Sequence, residues 1–169
     1  SDLNLENNVG ILKKYDAHTL LAISNRQLVS INEATAALNW TVKLPMNQFY
    51  DQILTTDSGL LYVVTEYNLM CVDINSGSVM WDVVPTHLGL NSRMVIHKGI
   101  LYFVSGSRFN AFDAANGNEL MSLEAPSLKW SGLSDGFNSV ITLDAENDRI
   151  YTTSFTAAYC YPTLNLADL

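Results

Sequence analysis

The sequence has 169 residues, 48% of them hydrophobic and only 15% charged, with a formal net charge of −8. That composition supports a sizeable core and excludes disordered and collagen-like chains. The acidic balance, with Lys13 and Lys14 as the only adjacent basic pair, argues against nucleic acid and anionic membrane surfaces as partners, and no apolar run approaches the roughly 18 residues of a bilayer span. A mean hydropathy of +0.10 is high for so weakly charged a chain, and predicts apolar surface that something else covers.

Internal repetition organises the chain. Its first copy begins near Val9 and contains the segment Leu28 to Trp40; the second contains Leu69 to Trp81 and the third Phe109 to Met121, and the three align without gaps. Upstream of the later copies stands a second pattern, Gly59-Leu60-Leu61-Tyr62, Gly99-Ile100-Leu101-Tyr102 and Asp148-Arg149-Ile150-Tyr151. From each tyrosine to the small residue of the next strand is nine positions: Tyr62 to Cys71, Tyr102 to Ala111, Tyr151 to Cys160. In the first copy Leu21 and Ser30 hold those two places. A fourth copy is therefore present and stops after Tyr161-Pro162 without its outermost strand.

Within a copy, short runs rich in Val, Ile, Leu, Tyr and Thr, such as Leu60 to Thr65 and Ile100 to Ser105, read as strands rather than helices. Turn residues divide them, as in Asn75-Ser76-Gly77 and Ala115-Asn116-Gly117. For the second copy the strands are placed at Asp51 to Thr55, Leu60 to Thr65, Leu69 to Ile74 and Ser78 to Val83. Four strands in about forty residues is the pattern of a propeller blade. The expectation is an all-β propeller domain over residues 1–169, with four four-stranded blades near 9–45, 50–85, 92–126 and 137–165, closed on itself or forming part of a seven- or eight-bladed ring. Leu3 and Leu5 at one end, or Leu164 and Leu166 at the other, alternate with polar residues and could supply the strand the last blade lacks.

The run Cys71-Val72-Asp73-Ile74-Asn75-Ser76-Gly77-Ser78-Val79-Met80-Trp81 resembles the Ala-x-Asp-x-x-Thr-Gly-x-x-x-Trp repeat of pyrroloquinoline-quinone-like propellers, and Gly59-Leu60-Leu61-Tyr62-Val63 is similar to the strand that precedes it in that family. The physical reading stands beside the resemblance: Asp73 with Gly77, and Asp113 with Gly117, close a tight hairpin, while Trp40, Trp81 and Met121 offer large apolar faces for packing between blades. The first copy departs with Asn32 for the aspartate and Ala36 for the glycine, and the fourth with Pro162 for the aspartate.

Chemistry-bearing constellations are scarce. Cys71 and Cys160 lie at equivalent places of copies two apart, too far for a disulfide, and both read as small buried residues. His18, His87 and His97 lack metal-ligand spacing and read as scattered surface residues, and Asp144 to Asp148 reads as a polar hairpin turn rather than a calcium loop. The sequence contains no Gly-x-Ser-x-Gly elbow, phosphate-cradling glycine loop or HExxH motif. What remains is a face of loops carrying Tyr50, Tyr67, Arg93, Arg108 and Trp130, residue types that anchor interfaces.

The resulting expectation is a non-catalytic binding or scaffold module with a protein or glycan partner, or self-association completing a larger ring. It carries no cofactor, and the resemblance implies an extracytoplasmic setting: periplasmic, secreted or lipoprotein. The alternatives are a fragment of a quinone-dependent dehydrogenase, which would bind pyrroloquinoline quinone with calcium, and a purely structural module.

Overall fold

A computed structural model describes residues 9–24, 26–44, 52–65, 67–86, 92–105, 107–126 and 136–169. Fifteen strands follow one another among them: β1 (Val9–Lys14), β2 (Thr19–Ser24), β3 (Gln27–Asn32), β4 (Leu38–Lys43), β5 (Gln52–Thr55), β6 (Leu60–Val64), β7 (Leu69–Asp73), β8 (Val79–Val83), β9 (Val95–His97), β10 (Ile100–Ser105), β11 (Arg108–Asp113), β12 (Glu119–Glu124), β13 (Phe137–Asp144), β14 (Arg149–Ser154) and β15 (Ala158–Pro162). They form sheets in simple sequential order, β1-β2-β3-β4, β5-β6-β7-β8, β9-β10-β11-β12 and the three-stranded β13-β14-β15. The all-β expectation holds, and the strands of the second copy fall within a residue of their predicted limits.

Two compact units divide the chain, Ser1–Asp82 and Val83–Leu169. In the first, Leu21, Ile23 and Leu28 from one sheet pack with Leu61, Val63, Met70 and Val72 from the next. In the second, Ile100, Tyr102, Val104 and Phe109 pack with Phe137 and Ile150, and the stacked rings of Phe109 and Tyr161 lie 4.9 Å apart. Central strands read as unbroken apolar runs because both of their faces are buried, as in β10, where all six residues are buried.

One turn recurs between the third and fourth strands of the first three sheets. Gly77 N donates to Asp73 O, Gly117 N to Asp113 O and Ala36 N to Asn32 O, at 2.8 to 2.9 Å. The residue closing each turn has a positive φ, 73° at Gly77, 77° at Gly117 and 56° at Ala36. The side chain at the turn's first position caps it: Asp73 Oδ1 accepts from Ser76 N at 2.8 Å, Asp113 Oδ1 from Ala115 N at 2.9 Å, and Asn32 Oδ1 from Ala34 N at 3.0 Å. Asn32 replaces the aspartate without loss because a side-chain amide oxygen accepts as a carboxylate does. A different device joins β9 to β10, a two-residue turn whose central Lys98 and Gly99 both have positive φ, 50° and 77°, the backbone demanded by a type I′ hairpin.

Three expectations are corrected. Leu164 and Leu166 do not continue as a strand: Leu166–Asp168 is a turn of 3-10 helix capped by Asn165, so the fourth sheet stays three-stranded among the described residues. Cys160 is exposed, unlike Cys71, and among the described residues no fourth strand pairs with β15. Nor is His97 a scattered surface residue, since its side chain is only 14% exposed and Nε2 lies 2.6 Å from Asp148 Oδ1.

Candidate functional site

The repeat's polar residues are spent on its own turns. Two capping bonds from Ser76, one backbone and one hydroxyl, hold the Asp73 carboxyl below its ordinary range. Trp40 donates Nε1–H to Ile74 O at 2.6 Å, crossing from β4 to the β7–β8 turn, and Trp81 sits 5.9 Å from Tyr62, ring to ring, at a tilt of 41°. Met121 is half-buried against the core of the second unit. Burial pushes the Cys71 thiol up to about 11, which leaves it protonated and unreactive at neutral pH.

Asp148 ends the β13–β14 turn with a φ of 54°. Lys98 Nζ stands 2.7 Å from its carboxylate and His97 Nε2 2.6 Å from it. Hydrogen bonds from Lys98 first and His97 second hold the Asp148 carboxyl down at about 2. Next to it, Thr163 N donates to Asp148 O at 2.9 Å and Leu164 N to the hydroxyl of Tyr102 at 2.8 Å. The contacts of His97, Lys98 and Tyr102 fasten the last sheet to the one before it.

The five loop residues expected to form a binding face fare differently. Tyr50 and Trp130 lie outside the described residues. Tyr67, in the turn between β6 and β7, is 43% exposed, and Arg93, just before β9, is exposed. Arg108 is committed to its own sheet: Nε donates to Ser122 Oγ at 2.7 Å, Nη2 to Ser122 O at 2.9 Å and Nη1 to Glu124 Oε1 at 2.7 Å. The sequence reading missed Phe155, which stands 82% exposed in the turn between β14 and β15. Its position was available from the repeat, for that turn is the fourth copy's equivalent of the one bearing Tyr67.

In the second unit a shallow depression of about 180 Å³, lined by Val83 to Thr86, Phe112 and Gly117 to Glu119, falls below the size of ordinary small-molecule sites. Among the described residues no three His, Cys, Asp or Glu side chains gather closely enough to hold a metal ion, and no helix is long and apolar enough to cross a membrane.

Residues 9–157 match the pyrroloquinoline-quinone-like family described as outer membrane protein assembly factor BamB. No curated protein sequence matches the chain. Among solved structures it is similar to the crystal structure of BamB from Moraxella catarrhalis, at 15% sequence identity and a TM-score of 0.61 over 86% of this chain. The chain spans 46% of that protein's length, and the likeness concerns the fold.

Proposed function

Given that this chain belongs to the BamB family of pyrroloquinoline-quinone-like propeller repeats, we propose that it is a non-catalytic interaction module of the bacterial cell envelope, docking protein partners in outer membrane protein assembly. The reading is supported by one observation above the others. The repeat's aspartates, its first tryptophan and Arg108 are engaged inside the fold, while the turns between second and third strands hold out aromatic side chains, Tyr67 and Phe155. Exposed aromatics on a rigid scaffold are the common anchors of protein interfaces, since each covers a large area with few rotatable bonds to fix. The family's description names an assembly factor, which makes a protein partner the better match than a glycan.

The test is a photo-crosslinking amino acid at Phe155 in envelope-localised protein. Adducts with outer membrane assembly components are the expected product. Recovery of no adduct, from this position or from Tyr67, overturns the reading.

A further inference from the structure

The sequence contains a single Asn-Gly step, Asn116-Gly117, and it falls in the tight turn that joins β11 to β12. Asparagine followed by glycine is the pair most open to spontaneous loss of the side-chain amide, because a glycine has no Cβ to keep its own nitrogen away from the preceding side chain. Gly117 N is the nucleophile and Asn116 Cγ the carbon it attacks. In the folded turn both partners are held. Gly117 N donates to Asp113 O at 2.8 Å, Asn116 Nδ2 donates to Asp113 Oδ2 at 2.7 Å, and Asn116 Oδ1 accepts from Asn118 N at 2.9 Å. Asn116 is exposed and Gly117 buried, so water reaches the amide while the nucleophile stays engaged. The second copy makes the same two side-chain bonds without an amide: Ser76 Oγ donates to Asp73 Oδ1 at 2.9 Å and accepts from Ser78 N at 3.2 Å. The asparagine is therefore chemically vulnerable at a place where the turn does not require it.

We propose that Asn116 is a site of spontaneous deamidation, gated by opening of the β11–β12 turn, and that its conversion loosens the outer strand of the third sheet irreversibly. Once the turn opens, Gly117 N gives up its proton to solvent hydroxide and bonds to Asn116 Cγ. The bond from Cγ to Nδ2 breaks, and the amide nitrogen takes a proton from water and leaves as ammonia. Water then opens the cyclic imide at either carbonyl, giving aspartate or isoaspartate, with no oxidant, reductant or enzyme in the balance. Aspartate replaces the donor that faces Asp113 Oδ2 with a second carboxylate, so an attraction becomes a like-charge repulsion. Isoaspartate in addition lengthens the backbone between residues 116 and 117 by a methylene, which displaces Gly117 N from Asp113 O. Either product weakens the turn that starts β12, whose Leu120 and Met121 pack on the core of the second unit. The proposal stands on this turn alone and is independent of the docking reading above.

The full chain is incubated in mildly alkaline buffer, with and without urea, and conversion of Asn116 is followed by peptide mapping that separates aspartate from isoaspartate. Slow conversion is expected in the folded protein, with a rate about ten-fold or more higher in urea above the unfolding midpoint, since a closed site reacts only through its open population. Asp113→Ala removes the acceptor of Nδ2 and is expected to react faster than the parent; urea below the midpoint, applied to the parent, reads the same gate if that variant does not fold. Asn116→Ser copies the turn of the second sheet, and its urea midpoint is expected to stay constant on incubation, whereas the parent's falls as conversion accumulates. Equal rates in folded and unfolded protein overturn the gate. No conversion in the unfolded protein overturns the site, and a parent midpoint unmoved by complete conversion overturns the loosening.

Discussion

The indole of Trp40 lies on Gly77, so closely that a Cβ added to the glycine would meet Trp40 Cγ at 2.6 Å and Cδ2 at 2.7 Å. A glycine that the sequence explains by turn geometry alone thus has two reasons to stay: its φ of +73° and the ring above it. The same ring donates to Ile74 O, so one tryptophan both covers and hydrogen-bonds the turn of the neighbouring sheet.

Gly77→Ala is expected to destabilise the first unit by about 2–4 kcal/mol, from left-handed strain together with overpacking. Trp40→Phe keeps much of the apolar face, loses the bond to Ile74, and is expected to cost about 1 kcal/mol. Urea unfolding followed by fluorescence of the remaining tryptophans orders the two. A Gly77→Ala protein as stable as the parent would show that the ring moves aside freely.

Ala36 is the reverse case. It holds the place of Gly77 and Gly117 with a φ of 56°, where a Cβ is unfavourable. Replacing it with glycine, Ala36→Gly, relieves that strain at some entropic expense, for an expected net gain of about 1 kcal/mol. A shift of the denaturant midpoint to lower concentration would contradict this.

Acid should loosen the second unit through Asp148. Its carboxyl titrates near 2 in the folded chain, against 3.8 ordinarily, owing to Lys98 and His97. A depressed folded value means that the folded state binds the proton less readily than the unfolded one. The contribution of Asp148 is therefore fully present above about pH 4 and is lost as pH falls through about 2. Asp148→Asn tolerates the same positive φ and is expected to flatten the dependence of unfolding free energy on pH across that window, which a series of denaturant melts between pH 5 and pH 2 would measure. Equal slopes for the two proteins would remove Asp148 from the acid response.

Pyrroloquinoline quinone with calcium is expected to leave the thermal melting midpoint unchanged and to show no saturable absorbance change. A ligand that binds only the folded state raises the midpoint by mass action, so a concentration-dependent rise would revive the dehydrogenase alternative.

The sequence alone determined the repeat, its phase and the strand limits. Strand period, Gly and Asn turns and the nine-residue step from Tyr62 to Cys71 are local features, and local features are written in consecutive residues. It also showed which residues would close the turns, because Asp73 and Asp113 act within three positions of themselves. What tertiary structure decided is which side of each sheet has a neighbour. Cys71 and Cys160 occupy the same place in the pattern, and only the packing makes one buried and the other exposed. The bond between His97 and Asp148 joins residues 51 positions apart, and Arg108, an interface type by composition, is turned inward by Ser122 and Glu124. Burial and long-range pairing depend on what stands beside a strand in space, which no local pattern records.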